Sequence, residues 1–284
     1  MHIPKIDFSV LIPVYKAEKP EHLKMAIESV IYQTLPPSEI VIVKDGELTD
    51  GLDKIIDYFA SNYLDLFKIV SIPKRGGLGK ALQLGVLNCK YDIIARMDSD
   101  DICHAERFEK QIYFLICHPE IDLVSSFITE FDGNKENIYA SREIPIDHNE
   151  IIKFAKIRNP VNHMAAVFRK KAVVNAGNYG HFPWFEDYDL WARMLLKGSR
   201  FANLPYYLVN VRAGADMVAR RRGVKYAISE FKLQKRFLNM GFLNYLEFFR
   251  NITIRLFVRL LPLRIDLKIY KYVLRKLSER RNIS

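Results

Sequence analysis

Asp92-Ile93-Ile94-Ala95-Arg96-Met97-Asp98-Ser99-Asp100-Asp101 is a short apolar run that ends in three carboxylates. The apolar part reads as a buried strand, and it closes a pattern that begins at the start of the chain. Residues 8–13, 39–43 and 66–72 are earlier runs of the same kind. Between them, residues 21–33 carry Leu23, Ile27, Val30 and Ile31 at helical spacing. Residues 52–61 carry Leu52, Ile55, Ile56 and Phe59 on one helical face, and residues 78–87 read as a third helix. Strand and helix therefore alternate as far as Met97, which specifies a parallel sheet with helices on both faces. Ligands of such sheets bind beyond the carboxyl ends of the strands. Pro13-Val14-Tyr15, Asp45-Gly46, Pro73 to Gly77 and Asp98 to Asp101 are thus expected along one edge.

Beyond Asp101 the pattern changes. A helix is expected over 105–117 and a strand over 123–129, followed by irregular polar segments. A strand over 165–168, a helix over 187–197 and a strand over 206–212 complete this half. No Pro-, Gly- or Ser-rich linker separates the halves. The expected organisation is one α/β domain over 1–215, with a nucleotide-binding half at 1–101 and an acceptor half at 102–215. Residues 216–284 read as a basic helical region. Within it, 251–263 places Ile252, Leu256, Phe257, Leu260 and Leu261 near helical spacing. Pro262 should kink or end that helix, and 265–281 continues in the same style.

The charge is divided unevenly. The 284 residues hold 43 Lys and Arg against 33 Asp and Glu. From Arg220 to Ser284 there are 17 basic and 4 acidic residues, which leaves 26 against 29 for the rest. The positive charge belongs to the tail. The three cysteines, Cys89, Cys103 and Cys117, form no CxxC pair and read as reduced thiols, mostly buried. The first residues lack the basic-then-apolar order of a signal peptide, and no stretch is long and apolar enough to span a membrane. A cytoplasmic protein is expected.

Asp98, Asp100 and Asp101 repel one another unless a cation or a set of donors compensates them. A hard divalent ion, Mn2+ or Mg2+, does so and can bridge a diphosphate to the protein. Asp45 can accept the imide N–H of a pyrimidine base, although Asp-Gly is also a favoured turn pair. Lys74-Arg75-Gly76-Gly77-Leu78-Gly79-Lys80 opens the third helix with cations and glycines, which suits an anion. It is neither a P-loop, since Lys74 stands where the first glycine belongs, nor a dinucleotide fingerprint, since Leu82 stands where Gly or Ala belongs. Trp184-Phe185-Glu186-Asp187-Tyr188-Asp189-Leu190-Trp191 starts a later helix. Its acids serve either as caps or as a general base among sugar-stacking aromatics. His163 and His181 are structural or touch a ligand. Arg212, Arg220, Arg221, Arg222, Lys225 and Lys232 form a solvated basic face or hold phosphate or lipid headgroups.

Four motifs in order, Ser9-Val-Leu-Ile-Pro-Val-Tyr15, Ile42-Val-Lys-Asp-Gly46, Arg96-Met-Asp-Ser-Asp-Asp101 and Glu186-Asp187, resemble family 2 glycosyltransferases of the GT-A fold. The likeness is to bacterial enzymes of capsule, exopolysaccharide or lipopolysaccharide synthesis, and it runs from about Phe8 to Arg212. It implies a nucleotide-sugar donor, UDP above all, and a glycan or lipid-linked acceptor. It implies Pro13, Val14 and Tyr15 around the nucleoside, Asp45 on the base, and Asp98 with Ser99 on the donor. Asp98 and Asp100 would sit on the metal, and Arg75 and Lys80 near the diphosphate. Asp187 would be the base, supported by Glu186. Lys44 departs from the common pair of aspartates, and Leu82 replaces a common arginine. The Gln-x-x-Arg-Trp motif of processive synthases is absent, which implies a single addition per acceptor.

The basic, aliphatic tail is expected to lie on an anionic membrane at its inner face. It has few aromatics for base stacking, so no nucleic-acid partner is expected. A sugar-phosphate nucleotidyltransferase is the rival enzyme. It would show a Gly- and Arg-rich loop after the first strand, where Pro13-Val-Tyr-Lys-Ala17 stands.

Overall fold

Ser9–Val14 (β1), Glu39–Asp45 (β2), Phe67–Ile72 (β3) and Ile93–Arg96 (β4) are the four strands that the apolar runs predict. Pro20–Ile31 (α1), Asp50–Asn62 (α2) and Leu78–Asn88 (α3) lie between them. The computed structural model describes residues 6–134, 136–213 and 223–260, with side chains as far as Arg255. β1 pairs in parallel with β2 and β4, and β2 with β3.

Both faces of β1, β2 and β4 are buried, which is why these strands read as continuous rather than alternating apolar runs, whereas β3 at the sheet edge is half-exposed. Val10, Ile12 and Val14 of β1 and Ile40 and Ile42 of β2 join Leu23 and Ile27 of α1 and Leu52 and Ile56 of α2 in one core. Leu11, Val41 and Val43 point the other way, into a second core with Ala81, Leu82 and Val86 of α3. That period of two is what the pleat dictates.

The full sheet has the order β3-β2-β1-β4-β8-β6-β9-β5, with β7 paired to β6. The chain winds from β1 to β3 on one side and then places β4 on the other side of β1. The space between the β1 and β4 ends is therefore a topological switch point, where ligands of such sheets bind.

The second half adds Ile102–Cys103 (β5), Leu123–Phe131 (β6), Ile138–Arg142 (β7), Val167–Arg169 (β8) and Phe201–Arg212 (β9). Its helices are Arg107–Cys117 (α4), His148–Ala155 (α5), Lys170–Asn175 (α6) and Glu186–Leu196 (α7), with a 3-10 turn at His163–Ala165. Most of these pairings are antiparallel; β6 with β9 is parallel. The segment expected to be irregular thus holds β7 and α5. β9 starts at Phe201 instead of 206. Asn203 breaks its apolar pattern but is buried, and its amide reaches the carbonyls of Pro145 and Pro160 (3.1 Å for the latter). Cys89 and Cys103 are buried and unpaired, and Cys117 is exposed.

Contacts divide the chain into two units, Met1–Gly214 and Ala215–Ser284. The second holds Val224–Asn239 (α8) and Tyr245–Leu260 (α9). α9 begins before residue 251 because Asn244 and Glu247 cap it reciprocally: Glu247 N–H donates to Asn244 Oδ1 at 2.8 Å, and Asn244 N–H to Glu247 Oε2 at 2.9 Å. α8 and α9 are joined by the buried Glu230–Arg255 pair, by Asn251 donating to Gln234 at 2.9 Å, and by the Phe231 and Phe248 rings 6.2 Å apart. The expected kink at Pro262, the helix over 265–281, and Arg220, Arg221 and Arg222 lie outside the described residues. Among the described residues no helix is long and apolar enough to cross a membrane.

Candidate active site

The carboxylate run sits where β4 ends, clamped by β5, which pairs with β9 immediately after the turn. One carboxylate oxygen from each of Asp98, Asp100 and Asp101 can be chosen so that all lie within 4.8 Å of one another. Arg212 ties the turn to the sheet: its N–H donates to Asp101 Oδ1 at 2.9 Å and its Nε to the Asp100 carbonyl at 3.2 Å. Asp101 is 1% exposed, yet its Oδ2 has no hydrogen-bond partner among the described residues. Burial, then Asp98 and Asp100, hold its carboxyl well above the usual range. Asp100 is pushed up to about 7 by burial, then by Asp98 and Glu18. These groups are short of donors, and a divalent cation would supply the charge that favours their ionised form.

Ser99 is turned toward Glu18, donating to its Oε2 at 3.1 Å. Arg96, wholly buried in the apolar strand, grips Asp98 with both terminal nitrogens (NH1 to Oδ2, 2.9 Å). Its charge also reaches Glu186, His163 and Tyr179. Arg96 therefore connects the acid turn to α7.

At the end of β2 a different arrangement holds. Asp45 is 5% exposed. Its Oδ1 accepts the Gly76 N–H at 2.6 Å and its Oδ2 the Gly77 N–H at 2.9 Å. The amides expected to greet a diphosphate at the start of α3 are thus already donated to an internal anion. Gly77 makes this turn at φ 86°, where a side chain would be strained. Lys44, on the opposite face of the strand, pairs with Asp53 of α2 at 2.5 Å. The latched segment carries Arg75 over the Tyr15 ring, 5.1 Å from its centroid. Lys80 folds its stem back over Gly76, so that a Cβ there would lie 2.5 Å from Lys80 Cδ. Tyr15 is only partly buried, while Pro13 is buried and Val14 is in the core. Of the three residues expected at the nucleoside, Tyr15 is the one whose side chain is not packed away.

α7 brings Glu186 and Asp187 to the same region. A Cβ added at Gly79 of α3 would lie 2.4 Å from the Gly180 carbonyl oxygen and 3.3 Å from Glu186 Cβ. The third helix can approach the loop before α7 because residue 79 has no side chain. Burial, then Asp187, push Glu186 up to about 7. Asp187 accepts Tyr188 N–H on Oδ1 at 2.7 Å and Asn159 Nδ2 on Oδ2 at 2.6 Å. His163 Nδ1 stands 3.8 Å from Asp187 Oδ2, and its Nε2 meets the Tyr179 hydroxyl at 3.0 Å. Burial, then Arg96, keep His163 well below its ordinary pKa, so it is a neutral buried ring. His181 is exposed in the preceding loop. Trp191 is a core residue, whereas Trp184 is 46% exposed with a left-handed backbone, φ 67°.

Sequence reading gave no role to Glu18, Arg96 or Asn159. Arg96 had a signal, since an arginine inside Ile-Ile-Ala-Arg-Met demands a buried partner. Glu18 follows β1 on the ligand-binding edge. Asn159 lies in a polar segment with no pattern.

The chain matches the family described as glycosyl transferase family 2 over residues 9–174. It is 42% identical over 267 residues to the amylovoran biosynthesis glycosyltransferase AmsE of Erwinia amylovora, covering 93% of this chain and 98% of that protein. It is 37% identical over 269 residues to a UDP-Gal:alpha-D-GlcNAc-diphosphoundecaprenol beta-1,3-galactosyltransferase of Escherichia coli, covering 95% and 97%. Its fold is that of GT-A glycosyltransferases. It matches the mannosyltransferase PcManGT of Pyrobaculum calidifontis, solved with GDP-Man and Mn2+, with a TM-score of 0.63 at 16% identity, over 82% of this chain and 64% of that one. The expected fold and family hold: the chain belongs to glycosyl transferase family 2 and is a glycosyltransferase.

Proposed function

We propose that this glycosyltransferase moves a hexosyl or N-acetylhexosaminyl group, with inversion, from a UDP-linked donor to a hydroxyl of a glycan or lipid-linked acceptor in bacterial surface polysaccharide synthesis. The observation that carries this reading is the Asp98-Asp100-Asp101 cluster, short of donors, with buried Arg96 pairing with Asp98 and its charge felt by Glu186 beside Asp187. The names of the two relatives support the donor, the lipid-diphosphate acceptor and the pathway class. Residues 1–101 bind the donor, 102–215 the acceptor, and 216–284 attach the enzyme.

Asp98 and Asp100 hold Mn2+ or Mg2+ in this reading. When bound, the ion offsets charge on the departing nucleoside diphosphate. Tyr15 faces the nucleoside, Asp45 and Ser99 order the donor edge, and Arg75 and Lys80 carry positive charge toward the diphosphate. Asp187 removes the acceptor hydroxyl proton as that oxygen bonds to the anomeric carbon. The bond from that carbon to the phosphate oxygen breaks, and its electron pair leaves with the nucleoside diphosphate. Glu186 supports Asp187 and the acceptor. Transfer from UDP-hexoses to a synthetic sugar-diphosphate-lipid tests this, with the product's anomeric configuration read by NMR. A product that retains the donor's configuration would contradict the mechanism.

The attachment surface is proposed to be the exposed residues of the α8–α9 hairpin, facing an anionic membrane at the inner face rather than nucleic acid. Val224, Ile228 and Phe231 recur along α8 among exposed Lys225, Lys232 and Lys235. Phe231 meets Phe248, which meets Phe249 at 5.5 Å, and Tyr245 and Leu246 lie exposed on the same helix. Sedimentation with phosphatidylglycerol vesicles should fall in Leu246→Glu with Phe249→Glu; undiminished binding would refute the surface.

A further inference from the structure

We propose that Asn159 is the positioning residue for Asp187, holding one oxygen of the carboxylate that acts on the acceptor hydroxyl. This inference rests on the reading of Asp187 as the base. Asn159 Nδ2 donates to Asp187 Oδ2 at 2.6 Å, across 28 residues of sequence. The two ends of an asparagine amide are distinguished by their partners. Here Val161 N–H donates to Asn159 Oδ1 at 3.2 Å. That contact fixes the oxygen, so the NH2 group must face Asp187. The other carboxylate oxygen accepts Tyr188 N–H at 2.7 Å. Asp187 is thus fixed at both oxygens, by its own helix on one side and by the segment following α5 on the other.

The charged and titratable groups around this carboxylate act differently. Glu186 is its neighbour on α7, His163 stands 3.8 Å away on the 3-10 turn, and Tyr179 lies beyond His163. Arg96 and Asp98 act on Glu186 from β4 and the turn after it. Asn159 is a neutral donor within hydrogen-bond distance, so it favours the ionised carboxylate and fixes its direction without adding charge. It also cannot take the proton that the base must receive. A base that is held at a fixed direction meets the acceptor hydroxyl in one geometry.

The test uses the full chain and two variants, Asn159→Ala and the isosteric Asn159→Asp. The titration of Asp187 is followed by 13C-carboxylate NMR, with its resonance assigned by loss in Asp187→Asn. The midpoint should rise by about one pH unit in Asn159→Ala. It should rise further in Asn159→Asp, where a like charge replaces the donor. Turnover should fall in both, with UDP affinity unchanged. A residue that only fills space predicts that Asn159→Asp behaves as wild type, and an unmoved midpoint overturns the proposal. Should Asn159→Ala fail to fold, Asn159→Asp carries the same test, with its melting temperature as the check on folding. Full transfer by Asp187→Asn would instead remove the base reading, an outcome separate from an unmoved titration.

Discussion

Asp45 at the end of β2 and Asp98, Asp100 and Asp101 beyond the end of β4 stand at the same edge of the sheet, one strand apart on either side of β1. The fold compensates the first and leaves the second short. Asp45 receives two backbone N–H groups and thereby fixes the turn that opens α3. Arg96 covers Asp98 alone, and Asp101 keeps an unpartnered buried oxygen. The same residue type at matching positions therefore has two roles, decided by the donors that the neighbouring segments supply. A carboxylate with its donors in place is architecture; a cluster short of them is where the proposed cation would bind.

The largest effect should come from the base. Asp187→Asn should lower turnover by about 100- to 10,000-fold, with donor binding near that of wild type. Parallel measurement of transfer and UDP affinity checks this, and equal loss of both would return Asp187 to a structural role.

The next prediction sets pH against metal. Asp100 and Glu186 titrate near 7 in the folded chain, above their ordinary 3.8 and 4.5. Between those values and about 7, the folded protein holds protons that the unfolded chain has released. These two groups therefore make metal-free stability fall as pH rises through that window, and the loss levels off above it. Binding of Mn2+ releases protons below 7, so its affinity should rise with pH and then level. Melting temperatures with Mn2+ and with EDTA from pH 5 to 8 measure both trends. A metal increment that does not grow with pH would break the link between the cation and Asp100.

The smallest effects carry the sharpest contrast, because their signs differ. Asp45→Asn weakens the latch on α3 and should destabilise by about 1–3 kcal/mol. Asp100→Asn relieves like-charge crowding and should stabilise the metal-free protein by about 1 kcal/mol, raising the melting temperature by about 2–4 °C. Thermal melts in EDTA decide it, and two shifts of the same sign would collapse the distinction.

Much of this edge was legible in the sequence. β1, β2 and β4 announced themselves as apolar runs because both of their faces are covered. The winding rule then placed Asp45, Arg75 and Asp98 to Asp101 together. The partners were not legible. That Gly76 and Gly77 donate to Asp45 and that Asn159 reaches Asp187 are contacts between distant segments without periodicity. The second half was harder for a related reason. Buried polar residues such as Asn203 and Ser125 donate to specific carbonyls, so its strands lack an apolar signature.

In the proposed function the Asp98–Asp101 turn completes a donor site with a divalent ion. The most direct test is calorimetric titration of UDP in Mn2+, in Mg2+ and in EDTA, on wild type and Asp100→Ala. Wild type should bind UDP only with the metal present, and Asp100→Ala should lose that binding. UDP binding of equal strength in EDTA, or binding unchanged by Asp100→Ala, would contradict it.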